Sequence, residues 1–86
     1  MENNTGRQLT YGEKYVGITF NPSNIEAVDR CKSQCAAVID NAQNYINGFP
    51  GTDGKMDLER LQWMEAAKLK VLEAQMLMVK AITFKF

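Results

Sequence analysis

The stretch PSNIEAVDRCKSQCAAVIDNAQNYINGFP, residues 22–50, decides the fold, because it has the pattern of one long helix with a marked start. Ser23 and Glu26 match the S-x-x-E capping box, in which each side chain accepts a hydrogen bond from the other residue's backbone N–H. Pro22 prevents the helix from continuing backwards, because proline disfavours a helical residue before it. We therefore expect the helix to begin at Ser23.

The interior of this stretch favours a continuous helix, and its end stops the helix. Residues 24–47 contain no proline or glycine. Gly48 suits a helix C-cap, and Pro50 cannot continue a helix. The predicted first long helix covers 23–47, and the following loop, 48–56, forms the tip of a helical hairpin.

A single apolar stripe runs along this first helix. At heptad spacing seven of its eight positions are apolar, and the exception is Lys32. A lysine at a core position costs free energy unless its ammonium finds a partner or reaches solvent. Lys32 could set the register of packing, snorkel to the surface, or face a pocket that takes an anion. The stripe comprises Ile25, Val28, Lys32, Cys35, Ile39, Ala42, Ile46 and Phe49.

The two cysteines, Cys31 and Cys35, lie one turn apart on the first helix. Two thiols without a third cysteine or any histidine make a poor metal site. A disulfide between them would close a very short loop and stabilise little. We expect both to be reduced and buried. Neither a metal nor a cofactor is predicted for the chain.

The second long helix is predicted over 57–83, and its apolar residues cover more than one face. A helix in a two-helix hairpin has one partner, so it can bury only one such face. Because large exposed apolar patches mark interfaces, we expect a homo-oligomer; the alternative is that an amino-terminal arm covers the second face. One face carries Leu58, Leu61, Leu69, Leu72, Met76 and Val79, and a neighbouring face carries Met64, Val71, Met78 and Ile82.

The amino-terminal arm, residues 1–22, is rich in aromatic residues. Its segment YGEKYVGITF is predicted to be irregular, because its pattern suits neither a helix nor a paired strand. YVGITF is interpreted as an extended piece lying across the helices, and Phe20 as a hydrophobic staple before the first helix. Tyr11 and Tyr15 either belong to the same apolar clasp or present partly exposed rings for stacking.

The composition argues against histidine-based catalysis and against binding of a long nucleic acid, and it favours binding of a small ligand. Ten basic and ten acidic residues cancel, and histidine is absent. A neutral chain lacks the basic excess of nucleic-acid binders, and Ser-His or Cys-His catalysis needs histidine. Carboxylate pairs such as Glu59 with Glu65, or Asp53 with Asp57, are interpreted as solvated helix surface. A lysine beside aromatic rings suits a compact anionic ligand that carries a base.

No secretory signal or membrane-spanning run is recognised in the sequence. We therefore expect one cytosolic domain, 1–86. Its predicted class is all-α, a hairpin of two long antiparallel helices with an amino-terminal arm, assembled into an oligomeric bundle.

The segments GEKYVGITFNPSN, VDRCKSQCAAVID and EAQMLMVKAIT, in this order, resemble the phage anti-CBASS family of cyclic-nucleotide sponges. The resemblance extends from about Gly12 to Thr83. It implies a non-enzymatic oligomer of helical hairpins, built from interlocked dimers and often hexameric. Such proteins sequester cyclic dinucleotides such as 3′,3′-cGAMP in the infected bacterial cytoplasm, so that the CBASS effector is not activated. Some members also hold cyclic trinucleotides.

The resemblance also implies roles for individual residues. In the family a tyrosine of the arm stacks on a base, and a lysine of the first long helix meets the phosphates. Lys32 matches that lysine, whereas Tyr15 and, second to it, Tyr11 are the candidates for the tyrosine. With Lys14 and Asn21 they form the predicted ligand-binding set. The alternative function is a helical adaptor that docks a host protein through its apolar carboxy-terminal helix.

Overall fold

The structure is a computed structural model that describes residues 7–22, 24–48 and 57–85. Helix α1 spans Tyr11–Val16, α2 spans Glu26–Gly48 and α3 spans Leu58–Thr83. Within the described ranges there is no strand, so the predicted all-α class is confirmed. Among the same residues, no helix combines the length and the apolar character needed to cross a membrane.

Helix α1 shows that the prediction of an irregular arm was wrong. The Thr10 hydroxyl accepts the Glu13 N–H at 3.1 Å, and the Glu13 carboxylate accepts the Thr10 N–H at 2.9 Å. This capping box starts the helix. Gly17 ends it in the left-handed region, with φ of 65°, a conformation that glycine adopts at little cost. YVGITF is therefore not extended, because Tyr15 and Val16 complete α1 and a turn follows.

Helix α2 begins slightly later than predicted. Asn24 has a positive φ of 54° and is not helical. The Ile25 carbonyl accepts the first hydrogen bonds of the helix, so Glu26 is its first residue. Ser23, the predicted N-cap, lies outside the described residues, as does most of the predicted loop (49–56). The helix includes Gly48, one residue more than expected.

The core lies along α2, which packs against both α1 and α3. Ile39 is completely buried at its centre. Both cysteines are free and buried, which confirms that prediction, and burial raises the pKa of the Cys35 thiol. The core cluster comprises Val16, Cys31, Cys35, Ala36 and Ile39, with Tyr15, Ile18, Val71 and Val79 packed against it.

Helices α1 and α2 approach each other closely at Gly12. The Gly12 N–H donates to the Asp40 carboxylate at 2.6 Å. A Cβ at this position would collide with the Ala36 carbonyl group and lie 3.0 Å from Asp40 Cγ. Glycine therefore allows α1 to lie directly on the backbone of α2.

Helix α3 buries polar residues and leaves apolar ones exposed. Its buried residues are Lys68 and Gln75, which are seven positions apart and so share one face. On the first of the two predicted apolar faces, Val79 packs against the core. Leu58, Leu69 and Met76, which belong to the same predicted face, are exposed. The face of α3 that meets α2 is thus rotated away from these three residues.

Candidate functional site

Two buried lysines hold the amino-terminal part of the chain, one from each long helix. Lys32 of α2 is 5% exposed and Lys68 of α3 is 1% exposed. The other described lysines are exposed. Because a buried ammonium must be hydrogen-bonded or paired to be tolerated, the partners of these two lysines show what each can do.

The Lys32 ammonium has only neutral partners. It donates to the Gly17 carbonyl at 3.0 Å and to the Phe20 carbonyl. No carboxylate in the described part of the chain forms an ion pair with it. An ammonium has three N–H donors, so two are used here and its charge is not neutralised by an anion.

The turn that Lys32 holds presents an exposed ring. The Phe20 N–H donates to the Gly17 carbonyl at 2.9 Å, which closes the turn after α1. The Phe20 side chain is 70% exposed, and Lys32 Nζ lies 5.4 Å from its ring centroid. The interpretation of Phe20 as a staple is therefore wrong, because a staple would bury this ring against the helix.

The Lys68 ammonium is, by contrast, fully paired. It donates to the Tyr11 hydroxyl at 2.9 Å and to Gln43 Oε1 at 2.7 Å, and it lies 2.8 Å from Glu65 Oε1. These three acceptors match its three N–H donors. Lys68 Nζ also lies 4.8 Å from the ring centroid of Tyr11 and 6.0 Å from that of Tyr15. Lys68 therefore joins all three helices.

The pairing of Lys68 predicts an alkaline loss of stability. Burial lowers its pKa, but the hydrogen bonds to Glu65 and Tyr11 outweigh burial, so the pKa is raised above the ordinary 10.5. The stabilisation from Lys68 should be complete below pH 10.5 and should disappear as the pH rises through the higher folded-state pKa. The measurement is the free energy of unfolding in urea across this range, for the wild type and Lys68→Met. Identical pH dependences for the two proteins would contradict the prediction.

The predicted tyrosines lie together, next to Lys68. Their ring centroids are 5.7 Å apart with an interplanar angle of 42°. Tyr11 is 44% exposed, whereas Tyr15 is half-buried against the core. Neither ring contacts the Lys32 ammonium within the chain, so the predicted pair of a tyrosine and Lys32 is not brought together in one subunit.

The other two predicted residues lie apart from the tyrosine rings. Asn21 Nδ2 donates to the Ile25 carbonyl and to Asp29 Oδ1, both at 2.9 Å, and so ties the turn to the start of α2. Lys14 is exposed, and its ammonium has no hydrogen bond or ion pair with another described residue. The five predicted ligand-binding residues therefore lie in three places: the tyrosine pair, the turn near Lys32, and the surface of α1.

Lys68 was missed in the sequence, and the role of Phe20 was misjudged. Lys68 was not singled out, although it lies seven residues from Gln75 and therefore on the same face of the helix. Phe20 was noticed but given a structural role. Its exposure depends on the turn geometry that Gly17 and Lys32 impose, and no local sequence pattern indicates that geometry.

Comparisons with known proteins give no relative. No protein-family model, no curated protein and no solved structure matches this chain.

Proposed function

We propose that this protein binds and sequesters cyclic dinucleotides such as 3′,3′-cGAMP and leaves them intact. The observation that carries the proposal is the Lys32 ammonium, which is nearly buried, charged, and bound only to neutral carbonyls. A phosphate oxygen would supply the missing negative charge through a charge-assisted hydrogen bond. Lys68 is a weaker candidate for this role, because Glu65 already neutralises it.

The net charge and the exposed aromatic rings favour a small ligand that carries nucleobases. The net charge of zero is unsuited to tracking a long phosphate backbone, whereas a compact ligand needs one or two well-placed cations. Exposed aromatic rings offer stacking surfaces for bases. Tyr15 or Tyr11 of one subunit could meet Lys32 of another if symmetry-related subunits close the pocket, as the family resemblance implies.

Assembly into an oligomer is part of the proposal. Helix α3 leaves large apolar side chains in water, among them Trp63 at 69% and Leu77 at 67% exposure. Such surface is normally covered in a stable protein. We infer that two long antiparallel helices form a hairpin and that α3 packs against other copies of the chain. This gives the dimer-based bundle, often hexameric in the family, that the resemblance implies.

Sequestration explains how such a protein would act without catalysis. Captured messenger would not reach the CBASS effector in the cytoplasm of an infected bacterium. The protein would act stoichiometrically, so it needs tight binding and abundance rather than turnover. Enclosure of the ligand and a preorganised site can supply that affinity.

The proposal is tested by calorimetric titration with a panel of cyclic di- and trinucleotides, together with a solution mass measurement. The protein is then saturated with 3′,3′-cGAMP and heated, and the released nucleotide is identified by chromatography. Recovery of intact ligand supports a sponge. A linear product would identify a phosphodiesterase instead, and the absence of binding to any member of the panel would refute the proposal.

Replacing Lys32 by methionine should weaken cyclic-dinucleotide binding roughly tenfold or more. The substitution keeps the apolar stem but removes the charge, and the oligomer should persist because its proposed interface lies on α3. The measurement is calorimetric affinity alongside solution mass, with Lys70→Met, an exposed lysine of α3, as the matched control. If the Lys32→Met protein is more stable and binds normally, Lys32 only sets the register of helix packing.

The exposed side chains of α3 favour one alternative function, a helical adaptor that docks a host protein. Leu77, Lys80, Ala81 and Phe84 line an open apolar groove on this helix. The two hypotheses differ in what covers α3 in the purified protein. If the protein is monomeric in solution and binds no cyclic nucleotide, the adaptor becomes the better interpretation.

A further inference from the structure

We propose that Phe20 is the base-stacking residue beside Lys32, an assignment that rests on the proposed function and names a residue of its site. Tyr15 and Tyr11, the tyrosines suggested by the resemblance, lie next to Lys68. The aromatic ring beside the unneutralised ammonium of Lys32 within the same chain is Phe20, 5.4 Å away.

The backbone of Phe20 is fixed while its ring is in solvent. Its N–H donates to the Gly17 carbonyl, and its own carbonyl accepts from Lys32. The ring is nevertheless 70% exposed. An exposed aromatic ring on a fixed backbone loses little conformational freedom when it binds, since only two side-chain torsions remain to be ordered. Phe20 is therefore a stacking surface that costs little entropy to order on binding.

The charge beside the ring determines what kind of ligand fits. Lys32 lies over one face of Phe20, so a base can stack on the opposite face. The third N–H of the ammonium is not used by the chain, and a phosphate oxygen can accept it. A flat base joined to a phosphate satisfies both groups, whereas an uncharged aromatic ligand or a bare anion satisfies only one.

The two tyrosines are less available for this role. The Tyr11 hydroxyl is bound to Lys68, and its ring leans on Tyr15. Tyr15 packs against the core. Stacking a base on either ring would compete with contacts that hold α1, whereas stacking on Phe20 disturbs none of its hydrogen bonds.

The test is calorimetric titration of 3′,3′-cGAMP into the full chain and four variants. Phe20→Ala should weaken binding roughly 5- to 150-fold. Phe20→Trp should bind like the wild type, because it keeps a flat π surface. Phe20→Leu should be nearly as weak as Phe20→Ala, because it keeps apolar bulk without such a surface. Tyr45→Ala, which removes another exposed aromatic ring, should bind normally. Thermal unfolding should be similar for all, since the Phe20 ring is mostly exposed.

The outcomes separate this assignment from the proposed function. If the wild type does not bind, the proposed function fails. If the wild type binds and Phe20→Ala binds equally well, the function stands and the Phe20 assignment is overturned. Equal affinity of Phe20→Leu and the wild type would also overturn it, because the contact would then be apolar burial and not stacking.

Discussion

Replacing Gly12 by alanine should destabilise the protein by roughly 2 to 4 kcal/mol. The added methyl group would collide with the Ala36 carbonyl group, which belongs to the α2 backbone and cannot rotate away. Helix α1 would have to lift off α2. That movement would break the hydrogen bond from the Gly12 N–H to the Asp40 carboxylate, and a bond to a charged group is worth more than an ordinary one. Since a domain of this size has a small total stability, much of the population could unfold.

The measurement is urea unfolding at a fixed protein concentration, which matters if the protein assembles. Gly48→Ala is the matched control. A Cβ at Gly48 meets nothing within 4 Å, and alanine favours a helix, so this variant should be as stable as the wild type or slightly more stable. Equal stability of Gly12→Ala and Gly48→Ala would show that α1 does not lie on α2 as described.

Replacing Lys68 by methionine should cost about 2 to 3 kcal/mol. The ammonium satisfies Tyr11 Oη, Gln43 Oε1 and Glu65 together. Methionine fills a similar volume but donates no hydrogen bond, so the two partly buried neutral acceptors lose their donor. Glu65 is half-exposed and can return to water, which keeps the cost below that of leaving a fully buried carboxylate unpaired.

Lys70→Met provides the control for Lys68→Met, since it lies on the same helix and removes the same charge. Its partner Glu73 is 3.6 Å away, and both side chains are largely exposed, so the expected loss is no more than about 0.5 kcal/mol. Comparable losses for the two variants in urea unfolding would mean that Lys68 is not the buried junction of the three helices.

Much of the helical architecture was predictable because it depends on local signals. Asp57 caps α3, accepting the Arg60 N–H at 3.0 Å, and the predicted boundary lay at this residue. Helix α1 was missed although Thr10 and Glu13 carry a capping-box signature. A helix of six residues shows too little periodicity to be recognised, and the Gly12 contact that stabilises it is tertiary.

The candidate site was less predictable, for a physical reason. Lys32 could be identified as a polar residue in an apolar stripe, but its partners are backbone carbonyls of a turn, and carbonyls carry no sequence signal. The face of α3 that meets α2 could not be predicted from the sequence either. Its end is apolar on most sides, so apolar periodicity does not indicate which face meets α2. Lys68 and Gln75 mark that face, and a search for apolar stripes overlooks them.

Helix α1 and the turn after it close shorter stretches of chain in their contacts with α2 than α1 closes in its contact with α3. Gly12 and Asp40 are 28 residues apart, and Lys32 and Gly17 are 15 apart, whereas Tyr11 and Lys68 are 57 apart. Each doubling of loop length adds roughly 0.6 kcal/mol of closure entropy. The residues of both shorter contacts precede Gly48. These contacts can therefore form while α3 is still being synthesised. The nascent chain can therefore fix the turn that carries Phe20 before the helix that completes the core has emerged.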